Sequence, residues 1–129
     1  MVDSGLIICH KTRERPNVVS EMNVIGDVEG KNVILVDDMI DTAGTICKAA
    51  GILKERGAAS VRAVATHGVL SGPAYERIEE SDFEEVIITD SLPLKKKSSK
   101  IKVISIANLF ADTIVNICQH RSISDHFIM

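Results

Sequence analysis

Residues 32–45 read NVILVDDMIDTAGT and join an apolar strand to the start of a helix. The first five, 32–36, are β-branched or otherwise mostly apolar, which predicts a parallel strand buried on both faces. Asp37 and Asp38 end that run, so we expect their carboxylates at the carboxyl edge of the strand. Open α/β sheets bind their ligands at this edge. The stretch therefore predicts both the fold class and the position of a ligand site.

The second half of the stretch has the composition of a phosphate-binding turn. Asp41 and Thr42 are residue types that favour the N-cap of a helix, and Thr42-Ala43-Gly44-Thr45 leads into a helical pattern. The N–H groups at a helix start, the small Gly44 and two threonine hydroxyls suit a phosphate. The aspartates would repel that phosphate, so they should face sugar hydroxyls, directly or through Mg²⁺. A phosphorylated sugar is therefore the predicted ligand class.

Strand and helix patterns alternate along the chain. The alternation predicts right-handed βαβ units, hence a three-layer α/β fold in which helices cover both faces of a parallel sheet. Residues 18–25, with a turn at 26–30, indicate a hairpin or an edge excursion. The predicted strands span 6–9, 32–37, 60–66, 85–89 and 103–106. The predicted helices span about 42–56 and 73–80, with a last one capped by Asn108 and carrying an apolar stripe of Leu109, Ile114, Ile117 and Cys118.

The composition indicates one globular domain. The chain has 129 residues, is 45% hydrophobic and carries a formal net charge of -3, so nucleic acid is not an expected partner. No apolar run reaches the roughly 18 residues of a membrane-spanning helix, and residues 1–5 lack the basic start of a signal peptide. Three widely spaced cysteines without a Cys-x-x-Cys pair predict reduced thiols in a cytoplasmic protein and no zinc site.

Residues 36–45, VDDMIDTAGT, resemble the phosphoribosyl-diphosphate loop of type I phosphoribosyltransferase-fold proteins. Other stretches narrow the resemblance to the ribose-phosphate diphosphokinase family, also called PRPP synthetases. They cover nearly the whole chain from Leu6 and read HKTRERPNVVSEMNVIGDVEGK (10–31), THGVLSGPAYERI (66–78), ITDSLP (88–93), KIKVISIANLFADTI (100–114) and SISDHF (122–127). The ordered set, rather than any one member, makes the resemblance specific.

The resemblance implies a type I phosphoribosyltransferase-like fold that is incomplete at the N-terminus. Residues 1–129 match the later part of the family's C-terminal domain, and the N-terminal half that supplies most ATP contacts in the family has no counterpart here. Members of the family also carry a strand and a glycine-containing diphosphate loop before the position of Leu6. In the related fold that strand lies within the sheet, between the strands that match 6–9 and 32–37.

The resemblance assigns catalytic and regulatory roles outside the 36–45 motif. Lys11 and Arg13 match the family's Lys-x-Arg segment, which implies that they stabilise charge in the transition state. Relatives often carry further arginines where this chain has Thr12 and Glu14. Ser122 and Ser124 match a segment that contributes to a regulatory phosphate/ADP site between subunits of the family.

Within the motif, the resemblance implies a ribose 5-phosphate site. Asp37, Asp38 and Asp41 would hold the ribose hydroxyls, and Thr42-Ala43-Gly44-Thr45 would hold the 5′-phosphate. Mg²⁺ is the implied cofactor, with its direct ligands expected in family segments that have no counterpart here, so no metal ligand is assigned in this chain. A homo-oligomer, hexameric or dimeric, is implied by the resemblance alone.

The implied reaction is transfer of diphosphate from ATP to the C1 hydroxyl of ribose 5-phosphate, giving phosphoribosyl diphosphate and AMP. We expect the isolated chain to be inactive, because the ATP-binding half has no counterpart in it. The alternative is a non-catalytic sugar-phosphate-binding or assembly module that associates with a full-length synthetase.

Two other families fit less well. A nucleobase phosphoribosyltransferase shares the 36–45 motif, but HKTRERPN and SISDHF match the synthetase instead. A response-regulator receiver also has acidic strand ends. Its phosphoacceptor aspartate should follow a later strand, where Asp90 is a poor candidate.

Overall fold

A computed structural model describes Gly5, residues 8–11 and residues 22–124. The described elements alternate in the α/β manner that the sequence predicts. In chain order they are β1 (Ile8–Lys11), β2 (Met22–Ile25), β3 (Asn32–Ile40), α1 (Gly44–Glu55), β4 (Ser60–Gly68), α2 (Ala74–Glu80), β5 (Glu85–Thr89), β6 (Ile101–Ile104) and α3 (Ala107–Cys118). None of the described helices has the length and apolar character needed to cross a bilayer.

The main sheet has four parallel strands in the order β3-β4-β5-β6. The α/β parallel-sheet prediction is therefore confirmed. Strand β1 pairs antiparallel with β2 in a separate two-stranded sheet. Among the described strands β3 pairs with β4 and not with β2, so the prediction of a hairpin closed by the turn at 26–30 is wrong. The length of the connection favours the antiparallel pairing of β1 with β2, because two antiparallel strands can be joined by a short segment, whereas two parallel strands need a longer crossover connection.

One face of the main sheet is packed against α1 and α2. Each connection from β3 to β4 and from β4 to β5 moves to the next strand in the same direction, so right-handed crossovers place both helices on one face. Apolar residues of both helices share one core with inward-facing strand residues. That core includes Val33, Ile46, Ala50, Leu53, Val61, Ala63, Ala65, Ala74, Ile78, Phe83, Val86 and Ile88.

The second face of the sheet carries apolar side chains that remain exposed. On β3, Val33 is buried and Leu35 is half-buried, whereas Ile34 is 59% exposed and Val36 is 80% exposed. The prediction that this strand is buried on both faces is therefore wrong for the described residues. A strand alternates its side chains between two faces, and α1 and α2 cover only one of them.

Helix α2 is tied to the loop that follows β5. The Tyr75 hydroxyl accepts hydrogen bonds from the N–H groups of Lys95 at 3.1 Å and Lys96 at 3.3 Å. Glu79 Oε1 accepts from Ser98 Oγ at 2.6 Å and from Ser99 N at 2.8 Å. These hydrogen bonds hold the pKa of the Glu79 carboxyl below its ordinary value, the Ser98 bond contributing most.

Helix α3 begins one residue before the expected cap. Its N-cap position is Ile106, so Asn108 lies within the first turn and the predicted Asn108 cap is wrong. Asp90 instead stabilises the start, because its carboxylate accepts from Ile106 N at 2.9 Å and from the Ser105 hydroxyl. The bond from Ile106 is the main reason that the pKa of Asp90 is lowered. No residue of α3 is buried, so its apolar stripe stays exposed.

We expect Glu79→Gln to reduce the loss of unfolding free energy that the wild type shows as the pH falls into the acid range. The folded-state pKa of Glu79 is lowered, so its contribution to stability is present above its ordinary pKa of 4.5 and is lost as the pH falls below that value. The variant should be less stable than the wild type at pH 7, with a difference that shrinks toward pH 3. Urea denaturation across this range, with Glu80→Gln on the same helix as control, measures the effect. An equal loss for both variants would contradict the assignment.

Candidate functional site

Residues 41–45, here called the 41–45 loop, comprise the connection between β3 and α1 and the first two residues of α1, and they turn through a left-handed residue. Ala43 has φ 59° and ψ 2° and occupies the N-cap position, and α1 begins at Gly44. No side chain caps this helix, so the prediction that Asp41 or Thr42 serves as the cap is wrong. The Asp41 carboxylate instead accepts a hydrogen bond from the Ser71 hydroxyl, on the segment after β4. The Asp41 side chain thus bonds a segment that is distant in sequence and does not make the expected hydrogen bond to the start of α1.

An open cavity of about 250 Å³ lies against this loop. Its wall includes the end of β3, the loop and the first turn of α1. The structure therefore brings six of the seven predicted sugar-phosphate residues to one place: Asp37, Asp41, Thr42, Ala43, Gly44 and Thr45. The remaining lining residues are Met39, Ile40 and Ile46.

Asp38 is the predicted site residue that does not line the cavity. Strand β3 continues to Ile40, three residues beyond Asp37, so the predicted strand end at Asp37 and Asp38 is wrong. Neighbouring residues of a strand project to opposite faces, which separates the two carboxylates. The Asp38 N–H donates to Asp37 Oδ1 at 2.9 Å. A ribose-binding role for Asp38 stays a prediction.

The segment between β4 and α2 buttresses the loop. The N–H of Leu70 donates to the carbonyl of Ile40, and that of Ser71 to the carbonyl of Asp41, both at 3.1 Å. These contacts place the 69–73 segment directly beside the 41–45 loop. The sequence shows this segment only as part of the family resemblance at 66–78, because the Ser71 and Asp41 positions are separated by 30 residues.

Arg77 of α2 reaches the same loop from another direction. Its Nη1 donates to the Thr42 carbonyl at 2.9 Å. A Cβ added at Gly44 would lie 3.1 Å from that Nη1 atom. The absence of a side chain at Gly44 therefore leaves room for the guanidinium as well as for a ligand. Sequence reasoning missed both Ser71 and Arg77 as supports of the site.

The other assigned residues are not among the described residues that line this cavity. The backbone of Lys11 ends β1, where it is paired with Met22, and Arg13 lies outside the described residues. Ser122 and Ser124 follow α3 and are exposed, with their hydroxyl oxygens hydrogen-bonded at 2.6 Å. Their catalytic and regulatory roles stay predictions.

The carboxylates at the cavity fit a cation that is shared with a ligand. Over residues 22–124 and the short described stretches before them, no group of three or more His, Cys, Asp or Glu side chains forms a metal cage. Mg²⁺ commonly uses one or two carboxylates, with substrate oxygens and water completing its octahedron. Asp37 and Asp41, on one cavity wall, match that donor set.

Comparison with known proteins identifies the family. Residues 5–128 match the family described as the phosphoribosyl synthetase-associated domain. The chain belongs to the phosphoribosyl synthetase family. The resemblance found in the sequence is thereby confirmed.

Family relatives are similar over almost all of this chain. A ribose-phosphate pyrophosphokinase of Helicobacter hepaticus is 58% identical over 126 residues, which are 98% of this chain and 41% of the relative. One from Wolinella succinogenes is 54% identical over 123 residues, 95% of this chain and 40% of the relative. The chain thus spans about two fifths of the length of these synthetases.

A solved synthetase shares the fold. The crystal structure of phosphoribosylpyrophosphate synthetase from Mycobacterium smegmatis matches with a TM-score of 0.75 and 47% sequence identity. The match covers 78% of this chain and 34% of that one. The phosphoribosyltransferase-like fold expected from the sequence is therefore confirmed.

Ala43→Val should destabilise the fold by about 2–4 kcal/mol. A β-branched residue is strained at φ 59°, and its extra methyl groups would overpack a site where Ala43 is only 5% exposed. Ala43→Gly is the matched control, because glycine adopts this conformation freely, and its effect should stay within about 1 kcal/mol. Urea denaturation measures both. Equal stability of the two variants would show that the left-handed turn is not a constraint.

Proposed function

We propose that this chain carries the ribose 5-phosphate site of a ribose-phosphate diphosphokinase. One observation supports the proposal above all others. Six of the predicted site residues in the 36–45 motif line a single cavity at the carboxyl end of β3 and the amino end of α1. In a family whose relatives are named for ribose phosphate, this cavity combines a turn suited to phosphate with carboxylates suited to sugar hydroxyls.

The first turn of α1 would hold the 5′-phosphate. The first N–H groups of a helix point away from its body, and the helix dipole favours an anion there. The bond from Cys47 N to the Ala43 carbonyl at 3.0 Å is made by the N-cap residue, and residues 43–46, which precede Cys47, line the cavity. The hydroxyls of Thr42 and Thr45 would add side-chain donors, and Gly44 would let the phosphate approach the backbone.

The carboxylates would hold the sugar. Asp37 and Asp41 would accept hydrogen bonds from the ribose hydroxyls, directly or through water on Mg²⁺, which would supply charge screening for the phosphate oxygens. The Asp41 oxygen that binds Ser71 leaves the second carboxylate oxygen for the sugar. Asp38 would join the sugar site only from the other face of the strand.

In the complete enzyme, the reaction would be diphosphate transfer. The C1 hydroxyl oxygen of ribose 5-phosphate would attack the β-phosphorus of ATP and lose its proton, while the bond from that phosphorus to the oxygen of AMP breaks. Lys11 and Arg13 would stabilise the charge that develops on the transferred group. Positioning and charge stabilisation carry such a step without a covalent enzyme intermediate.

Further properties of the complete enzyme belong to the same proposal. ATP would bind mainly to parts of the synthetase that have no counterpart in this chain, so the chain alone would be inactive. We also propose a cytoplasmic homo-oligomer, hexameric or dimeric, in which Ser122 and Ser124 contribute to regulatory phosphate or ADP binding.

Titration calorimetry with ribose 5-phosphate and Mg²⁺ tests the proposed site. The wild-type chain should bind ribose 5-phosphate saturably, with inorganic phosphate much weaker and ribose undetectable. Gly44→Val should weaken binding at least about tenfold, about 1.4 kcal/mol, because the side chain fills the cradle and displaces Arg77 Nη1, 3.1 Å from the added Cβ. Circular dichroism should show the same fold.

The matched control is Gly30→Val, at a turn where an added Cβ meets nothing within 4 Å. Gly30 has φ 67°, so this control lowers stability without touching the cavity. Binding should persist in it. Equal affinity of folded Gly44→Val and the wild type would remove the phosphate-cradle assignment.

A second candidate function is an assembly module that associates with a full-length synthetase. The exposed apolar surface favours it. On the second sheet face, Ile34, Val36 and Ile104 are more than half exposed, and α3 exposes Phe110 and Ile114 to a similar degree. Contiguous exposed apolar surface marks interaction sites in soluble proteins.

Sedimentation velocity tests the assembly function. The chain mixed with the Helicobacter hepaticus synthetase should sediment with it, and Val36→Glu should abolish association by placing a charge on the second sheet face. Glu55→Gln, at an exposed position of α1, is the control and should associate normally. Independent sedimentation at micromolar concentrations would contradict this candidate.

A further inference from the structure

We infer that Ser71 and Arg77 are positioning residues that hold the 41–45 loop in its ligand-binding conformation. The inference rests on the proposed ribose 5-phosphate site and adds a specific support for it. Both residues belong to the connection from β4 to α2 or to α2 itself, and neither lines the cavity. They act through Asp41 and Thr42, which do line it.

Ser71 fixes Asp41 at two points. The Ser71 hydroxyl donates to Asp41 Oδ1, and the Ser71 N–H donates to the Asp41 carbonyl at 3.1 Å. One bond orients the side chain and the other holds the main chain. Orientation matters here because like charges repel, and a carboxylate beside a phosphate offsets that repulsion only where its oxygens are placed to accept hydrogen bonds from the sugar hydroxyls. Ser71 therefore sets the direction in which Asp41 can accept.

Arg77 fixes the next residue of the loop. Its Nη1 donates to the Thr42 carbonyl at 2.9 Å, and a Cβ at Gly44 would lie 3.1 Å from this atom, so a side chain there would press on the guanidinium. The guanidinium also brings a permanent positive charge to a loop that follows Asp37 and carries Asp41. A charge-assisted bond of this kind is stronger than one between neutral groups.

Backbone strain shows why the loop needs these supports. Ala43 and Leu70 are non-glycine residues with positive φ, 59° and 48°. Such a conformation is strained for a residue with a side chain and persists only where the surrounding structure holds it. The two residues lie on the two segments that the Leu70, Ser71 and Arg77 hydrogen bonds join.

Helix α2 holds the backbone of Arg77 in a fixed position. Ala74, Tyr75 and Ile78 are buried in the core, and the Tyr75 hydroxyl accepts from the backbone of Lys95 and Lys96. The Arg77 carbonyl also accepts from Cys47 Sγ of α1 at 3.6 Å. Because these contacts fix α2, the position of Arg77 does not depend on the 41–45 loop, and its hydrogen bond can hold that loop in place.

The test compares disruptive and conservative variants at both positions. Ser71→Ala and Arg77→Gln should each weaken ribose 5-phosphate binding about tenfold in calorimetry, and Ser71→Thr and Arg77→Lys should recover part of it. Arg62→Gln is the matched control, because Arg62 pairs with Glu84 at 2.6 Å near the opposite end of β4. It should bind like the wild type.

Amide NMR without ligand separates positioning from direct contact. Ser71→Ala and Arg77→Gln should shift the amide resonances of residues 41–45 before any ligand is added, while resonances of the core strands stay in place. Shifted loop amides with weakened binding are the expected result. Weakened binding with unchanged loop amides would overturn the inference, since Arg77 would then contact the phosphate itself.

Unchanged ribose 5-phosphate binding in both Ser71→Ala and Arg77→Gln would also overturn the inference. A wild-type chain that fails to bind ribose 5-phosphate counts against the proposed function, and the ligand-free amide shifts still decide whether Ser71 and Arg77 position the loop. If Ser71→Ala does not fold, the comparison of binding and loop amides is made with Ser71→Thr, Arg77→Gln and Arg77→Lys.

Discussion

The parallel pairing of β3 with β4 is the constraint on which the site depends. Register pairs Met39 with His67 and Ile40 with Gly68, so both strands end at the same edge of the sheet. The two following loops therefore meet, and the bond from Leu70 N to the Ile40 carbonyl continues the contact beyond the ladder. On the other side of β4, Gly68 leaves room for the Ile88 side chain of β5, because an added Cβ would lie 2.4 Å from Ile88 Cδ1.

The proposed site at this edge would have to reconcile an anionic ligand with acidic side chains. Strand alternation sends Asp37 and Asp38 to different faces, which keeps one carboxylate away from the cavity. The Ser71 hydroxyl occupies one oxygen of Asp41, and Arg77 places a cation on the loop backbone. The negative charges thus remain at the site, but hydrogen bonds and strand geometry fix where each carboxylate lies, and in the proposed complex Asp37 and Asp41 would accept from the sugar hydroxyls.

The sequence could predict features that depend on local residue patterns, but it could not predict features that depend on contacts between distant segments. The span of β5 and the clustering of the 37–45 residues followed from apolar runs and small-residue spacing. The left-handed Ala43 did not, because its conformation depends on segments 30 or more positions away along the chain. The apolar stripe of α3 was correctly placed on a helix, but its pattern alone could not show that the stripe stays exposed.

The two proposed functions meet at β3, which lies at the edge of the described four-stranded sheet. Proteins usually protect such an edge, since its unpaired N–H and C=O groups can accept another strand. Val36, 80% exposed, and Asp38 lie on the uncovered face of this same strand. A chain that paired with the edge of β3 would lie beside the strand end that carries Asp37, which lines the cavity on the opposite face. Assembly would then complete the surroundings of the sugar site, so association and ligand binding would strengthen each other by linkage.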